Sequence, residues 1–188
     1  MTVRLAAMLA GMLALAGCAS SPPIQPVDTR AALAENWLLE GRLGVRTGEQ
    51  SLSGSIRWQH QVEADDLLLI SPLGQGVARI VRDKSGVMLE VPNEPVRRAS
   101  DVESLTQTVL GYGLPISGLT WWVQARPAPG RAFESTRDRS TRFEQIRQDG
   151  WVINYLQYAD DRPTLPRKMT VTREGLEIRL VVDTWKLE

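Results

Sequence analysis

Apolar and polar residues alternate with a period of two through most of this chain, which restricts it to a fold of half-buried strands. In "WLLEGRLGVR", Trp37, Leu39, Gly41, Leu43 and Val45 share one face, while Glu40, Arg42 and Arg46 share the other. In "SLSGSIRWQH" the same split separates Leu52, Gly54, Ile56 and Trp58 from Ser53, Ser55, Arg57 and Gln59. The pattern returns at Val87/Leu89/Val91, at Trp151/Ile153/Tyr155 and at Leu176/Ile178/Leu180/Val182. Turn residues punctuate the runs at Thr47-Gly48, Lys84-Ser85-Gly86, Asp149-Gly150, Asp160–Pro163 and Glu174-Gly175. Many short strands with one oily face make an antiparallel sheet curled around an apolar interior.

Two helices interrupt the strands. Ser100 with Glu103 three residues later reads as a capping box, Val102, Leu105, Val109 and Leu110 share a side, and Gly111 suits the position just past the end. After Pro115, "SGLTWWVQA" predicts a shorter helix with Leu119, Trp122 and Val123 on one side. A weaker helix at 29–36 leads into the first strand. The order is a short helix, about five strands, two helices, then four or five strands. Helices placed mid-chain can cover the open side of a curled sheet.

The N-terminus adds an address. "MTVRLAAMLAGMLALAGC" has one basic residue, Arg4, then an apolar run from Leu5 to Ala16. That run is too short to span a bilayer, which takes about 20 residues, and it describes a signal peptide. Leu15-Ala16-Gly17-Cys18 resembles a bacterial lipobox, whose cysteine is acylated and becomes the first residue of the mature chain. Cys18 is also the only cysteine; a lone cysteine can be a core residue or a free thiol, but at this spacing it reads as a lipid anchor. "ASSPPIQPVD" then reads as an extended tether. The expected organisation is a signal peptide at 1–17, a lipidated tether at 18–28 and one domain at 29–188. Ala19, where some bacteria place an aspartate that retains lipoproteins at the inner membrane, points by that resemblance to the outer membrane, facing the periplasm.

Catalytic groups are sparse. His60, the only histidine, falls at a strand end beside Gln59 and Gln61 and reads as solvent-facing. No G-x-S-x-G elbow, H-E-x-x-H pair or P-loop occurs, and Arg79 stands where a dinucleotide fingerprint after Gly74-Gln75-Gly76 would need its third glycine. The 22 Lys and Arg balance 22 Asp and Glu, so nothing favours nucleic acid. The expectation is a non-enzymatic monomer without metal or cofactor. Six tryptophans remain; Trp37, Trp58 and Trp151 face inward, to fill the interior or to line a pocket.

One turn is odd. Ser71-Pro72-Leu73-Gly74 suits all four positions of a type I turn, which leaves Leu73 at the corner, either folded back on the core or exposed.

The order and spacing of a lipobox, "WLLEGRLGV", "GSIRWQH", "LLLISPLGQGVARI", "GYGLPISGLTWWVQARP", "QDGWVINYLQY", "LPRKMTV" and "IRLVVDTW" resemble the LolB family of outer-membrane lipoprotein receptors, from Cys18 almost to Glu188. The resemblance implies a mainly β fold with some α: a curled antiparallel sheet forming an incomplete β-barrel, with a helical lid over an apolar cavity. It also implies transfer, without ATP, of triacylated lipoprotein cargo from the periplasmic carrier LolA into outer-membrane lipids. The family's membrane-insertion leucine corresponds to Leu73, in the turn Pro72, Leu73, Gly74. Alternation nominates Leu43, Val45, Ile56, Trp58, Leu67, Leu69, Ile80, Leu89, Ile153 and Leu180 as cavity lining, though it does not separate a lipid cavity from a packed core. A scaffold lipoprotein with a filled core, a passive carrier of another hydrophobic ligand and an envelope hydrolase are the alternatives. Arg97 and Arg98 could serve LolA docking or form a solvated loop.

Overall fold

The structure is a computed structural model that describes residues 34–48 and 50–187. The signal peptide, Cys18, the tether and residues 29–33 of the weak helix lie outside the described residues, and 34–36 are not helical. Six strands come first: β1 (Trp37–Thr47), β2 (Ser51–Gln61), β3 (Ala64–Ile70), β4 (Gly76–Asp83), β5 (Gly86–Glu90) and β6 (Arg97–Ala99). Helices α1 (Val102–Leu110) and α2 (Ile116–Trp122) follow, then β7 (Phe133–Arg137), β8 (Phe143–Gln148), β9 (Trp151–Tyr158), β10 (Pro166–Arg173) and β11 (Leu176–Leu187). All eleven strands form one sheet in the order β6-β5-β4-β3-β2-β1-β11-β10-β9-β8-β7, each neighbour antiparallel.

The alternation identifies the inward face. Trp37, Leu39, Val45, Ile56, Trp58, Leu67, Ile80, Leu89, Ile153, Ile178 and Leu180 are buried in one core with Val102, Leu105, Ile116 and Leu119 from the helices. One strand breaks its own period. The β1–β11 register jumps from Glu40↔Thr184 to Gly41↔Val182, so Asp183 is the extra residue of a bulge. That insertion turns Trp185 inward, although strict alternation from Val182 would send Thr184 there.

The helix caps differ from expectation. Asp101, not Ser100, caps α1: its carboxylate accepts from the Ser104 backbone N–H at 2.8 Å, and Ser100 donates its hydroxyl to Asp101. A carboxylate one residue later reaches the same orphan N–H groups and adds a favourable charge at the helix start. Glu103 is thereby released from the capping box and accepts from the Ser117 N–H of α2 at 3.2 Å. Gly111 does end α1, with φ of 81° and its N–H donated to Gln107 O. Arg97 and Arg98 lie on the short edge strand β6 rather than in a loop.

The bulge depends on a missing side chain. A Cβ on Gly41 would stand 2.1 Å from Val181 O, backbone against backbone, whereas one on Gly44 would meet nothing closer than Leu52 O at 4.0 Å. Gly41→Ala is therefore expected to destabilise the fold by about 2–3 kcal/mol, as overpacking does, and Gly44→Ala to lie within about 0.5 kcal/mol of the parent. Urea unfolding midpoints of the two variants test this; equal midpoints would remove the bulge from the account.

Candidate functional site

The register gives the sheet two unlike ends. At one end Trp37 pairs with His60, His60 with Asp65 and Asp65 with Arg82. This end is plugged. Asp65 is buried, and its Oδ1 accepts from Trp58 Nε1 at 2.9 Å and His60 Nδ1 at 2.7 Å, while Oδ2 accepts from Arg82 Nε at 2.7 Å. Trp37 lies over His60 at a 31° tilt with centroids 4.9 Å apart, and meets Trp58 and Trp185 edge-on at 4.9 and 5.4 Å. His60 is only 8% exposed, which corrects the solvent-facing expectation: its carboxylate partner lies on the next strand, where local sequence does not reveal it. Burial alone would raise the Asp65 pKa. Hydrogen bonds from His60 and Trp58, with attraction to His60 and Arg82, outweigh it and hold the carboxyl below its usual range.

Next to the plug lies an apolar cavity of about 100 Å³. Of the nominated residues, Leu43, Val45, Ile56, Trp58, Leu67, Leu69, Ile80, Leu89 and Leu180 line it, and Ile153 does not: it is wholly buried among β8, β9 and β10. Alternation identifies the inward face of a strand but not how far along the barrel each residue sits. Lining that was not nominated comes from Leu52, Leu68, Ala78, Val91, Val171 and Ile178 on the strands and from the helical segment, with Thr106, Leu110, Tyr112, Leu114, Ile116 and Leu119. The polar atoms of the wall are mostly occupied elsewhere. Trp58 turns its N–H to Asp65, and Thr106 donates to Val102 O and accepts from the Leu114 N–H. Of the other inward tryptophans, Trp37 belongs to the plug and Trp151 packs near Trp122, under the Arg173 guanidinium at 4.3 Å.

The helices form the cover over this cavity, and they are held unequally. Tyr155 donates its hydroxyl to Trp122 O at 3.0 Å, and Trp122 Nε1 donates to Gln148 Oε1 at 2.9 Å. Gln148 also accepts from the Ala128 N–H and donates back to Ala128 O. These bonds pin the end of α2 to β8 and β9. Helix α1 instead packs on the narrow strands β5 and β6.

At the opposite end of the sheet from the plug, β3 and β4 are joined by the Leu73 turn. Gly74 donates its N–H to Ser71 O at 2.9 Å, Ser71 donates to Gln75 O at 2.8 Å, and Ser71 Oγ accepts from Gln75. Gly74 has φ of 82°, a conformation that suits glycine. The turn holds Leu73 out at 88% exposure, more than any other large hydrophobic among the described residues. It does not fold back on the core.

An open antiparallel sheet with a hydrocarbon-lined interior, plugged at one end and covered by two helices, defines a half-barrel suited to an apolar guest. The chain matches the family of the outer membrane lipoprotein LolB over residues 35–185. It is 54% identical to the outer-membrane lipoprotein LolB of Thiobacillus denitrificans, covering 97% of each chain. It is 39% identical to that of Nitrosomonas europaea, covering 94% of this chain and 90% of the relative, and 35% identical to that of Pseudomonas putida KT2440, covering 98% and 94%. This chain belongs to the LolB family of outer-membrane lipoproteins.

The depressed Asp65 pKa has a direction. Its stabilisation is present above the unfolded carboxyl value near 4 and is lost as pH falls through the lower folded value. Asp65→Asn is expected to destabilise the fold by about 2 kcal/mol at neutral pH, because three donors lose a charged acceptor. The deficit should shrink as pH drops below about 4. Urea midpoints of parent and variant from pH 7 to 3 check both parts, and a constant gap would take Asp65 out of the plug's energetics.

Proposed function

We propose that this chain is a lipid-anchored receptor that accepts triacylated lipoproteins from a LolA-type periplasmic carrier and inserts them into the outer membrane without ATP. The observation that carries the reading is a hydrogen-bonded turn that displays Leu73 to solvent at the end of a hydrocarbon-lined half-barrel away from the plug, in a chain of the LolB family. Burying one leucine stabilises by about 1.5–3 kcal/mol, too little to hold a protein on a membrane. Anchorage falls to the acyl chains on Cys18, and Leu73 is left to open a path for cargo. The protein acts as a monomer at the periplasmic face of the outer membrane.

The cavity has to open. About 100 Å³ is less than the roughly 150 Å³ of an engineered apolar cavity that holds one benzene, so acyl chains need several times more room. With α2 pinned through Gln148 and Tyr155, α1 and the following loop to Pro115, tied to α2 through Glu103 and Ser117, are the part we read as swinging outward. The transfer runs downhill: each buried methylene contributes about 0.8 kcal/mol, so small differences in shielding among carrier, receptor and bilayer set its direction.

Two variants test the reading in a transfer assay from cargo-loaded LolA to liposomes. Leu73→Asp is expected to accept cargo as the parent does and to deliver it at least tenfold more slowly, since a carboxylate is strongly disfavoured in a bilayer. Equal delivery would return Leu73 to an ordinary exposed leucine. Ala78→Phe puts a ring into the cavity and is expected to cut acceptance several-fold while the fold stays intact. Unchanged acceptance there would favour a scaffold lipoprotein whose interior holds no cargo.

A further inference from the structure

The Leu73 turn is not alone at its end of the sheet. Beyond the last β2–β3 pair, Ser55↔Ile70, β2 continues outward through Leu52, which pairs with Val45, to Ser51, which pairs with Arg46, while the chain past β3 folds into the Leu73 turn. The two leucines therefore occupy neighbouring tips. Leu52 has a double position: it lines the apolar cavity and is 40% exposed. The surroundings share its character. Residues 50–56 and 70–78 contain no charged side chain, and Glu49 is the single charge in the β1–β2 turn.

The other turns at this end are different. The pairs Thr47↔Leu176, Arg173↔Leu176 and Thr172↔Val152 place the β10–β11 and β8–β9 turns at the same end of the sheet. They carry Arg173 and Glu174 in one and Asp149, paired with Arg131 at 2.7 Å, in the other. On its β1–β4 side this end carries Glu49 in the turn and Arg46, which pairs with Ser51 and is bonded to Glu177 at 3.0 Å, and is otherwise uncharged over residues 50–56 and 70–78, whereas its β8–β11 side carries Arg173, Glu174 and Asp149 at its turns. A charged side chain is strongly disfavoured at hydrocarbon depth, so the uncharged stretch from Leu52 to the Leu73 turn is the part a bilayer can meet.

We propose that the phospholipid bilayer is met obliquely, by the β1–β2 and β3–β4 tips together, and that Leu52 is the threshold residue over which acyl chains pass from the cavity to the membrane at Leu73. The inference rests on the reading of Leu73 as the residue that enters the bilayer. An acyl chain leaving along this route touches Leu69, Leu52 and then lipid without passing a charged group. A route toward the β10–β11 turn would take it past Arg173 and Glu174.

The test uses the full lipidated chain in vesicles of phosphatidylethanolamine and phosphatidylglycerol. Single cysteines are introduced as Leu52→Cys, Leu73→Cys and Glu174→Cys and labelled with an environment-sensitive fluorophore. The parent, its Cys18 acylated, should take no label. Quenching by brominated phospholipid, rather than emission colour, is the readout, because a label in the cavity would also report an apolar setting. The expected result is quenching at 52 and 73 and none at 174. Quenching at 73 alone would overturn the role of Leu52 and leave the Leu73 reading standing. Quenching at none of the three would overturn both, and quenching at 174 as well would overturn the oblique approach. A second variant, Leu52→Ser, should lower delivery about three- to tenfold more than it lowers acceptance of cargo; an equal fall in both, or no fall in delivery, would overturn the threshold role and leave Leu52 only part of the cavity wall.

Discussion

The pairing of β1 with β11 is the contact on which the rest of the architecture depends. It joins the first described strand to the last and welds two meanders, β1–β6 and β7–β11, into one sheet. The edges of that sheet are then β6 and β7, which do not pair, so the curl stays open. The chain has to cross from one edge to the other, and α1 and α2 are that crossing. A lid in the middle of the sequence is thus a consequence of which strands meet at the seam. Both edges are short and carry charge, Arg97 and Arg98 on one and Glu134 and Arg137 on the other, which protects them from pairing with other chains. Partners so far apart in sequence also make this a slow seam to form, since loop closure precedes any gain from the pairing.

The seam also fixes the polarity of the half-barrel. The bulge at Asp183 turns Trp185 into the plug, against Trp37, and the Asp65 hub draws Trp58, His60 and Arg82 to the same end. A charged carboxylate is an expensive group to bury, and here every lone pair that matters has a donor. One result is chemical rather than structural: the Trp58 N–H points away from the cavity, so the wall beside it is hydrocarbon. With that end occupied by rings and an ion pair, the exposed leucines Leu73 and Leu52 lie at the other end of the half-barrel.

Local chemistry made much of this legible. Alternation marked the inward faces of the long strands, Gly111 marked the end of α1, and Ser71-Pro72-Leu73-Gly74 marked a turn with its leucine at the corner. Other features lie outside local reach. Asp183 breaks the period only because Gly41 lets β11 come within contact of β1. The burial of His60 comes from Asp65, opposite it on the next strand. Ile153 shares the inward phase of the cavity residues but sits among β8, β9 and β10, and phase does not report position along the barrel. Strand β6 is three residues long and too short to show a period. Asp101 outcompeted Ser100 because adjacent capping residues differ in charge more than in spacing.

The small volume of the cavity bears on how a receptor of the proposed kind releases what it binds. Without cargo, the apolar lining packs against α1 and the loop that follows it, so the protein is already partly satisfied. Cargo then gains only the difference between covering that wall with acyl chains and covering it with the lid. If the open form is a minor state, the observed affinity is the intrinsic one multiplied by the open fraction. Residues far from any guest, such as Asp101 at the cap of α1 or Glu103 bonded to Ser117, can therefore tune affinity through the lid alone. An intermediate affinity is what a station between a carrier and a bilayer requires. A deeper permanent cavity would take cargo more readily and surrender it less, so a lid that competes for the same surface serves delivery as much as protection.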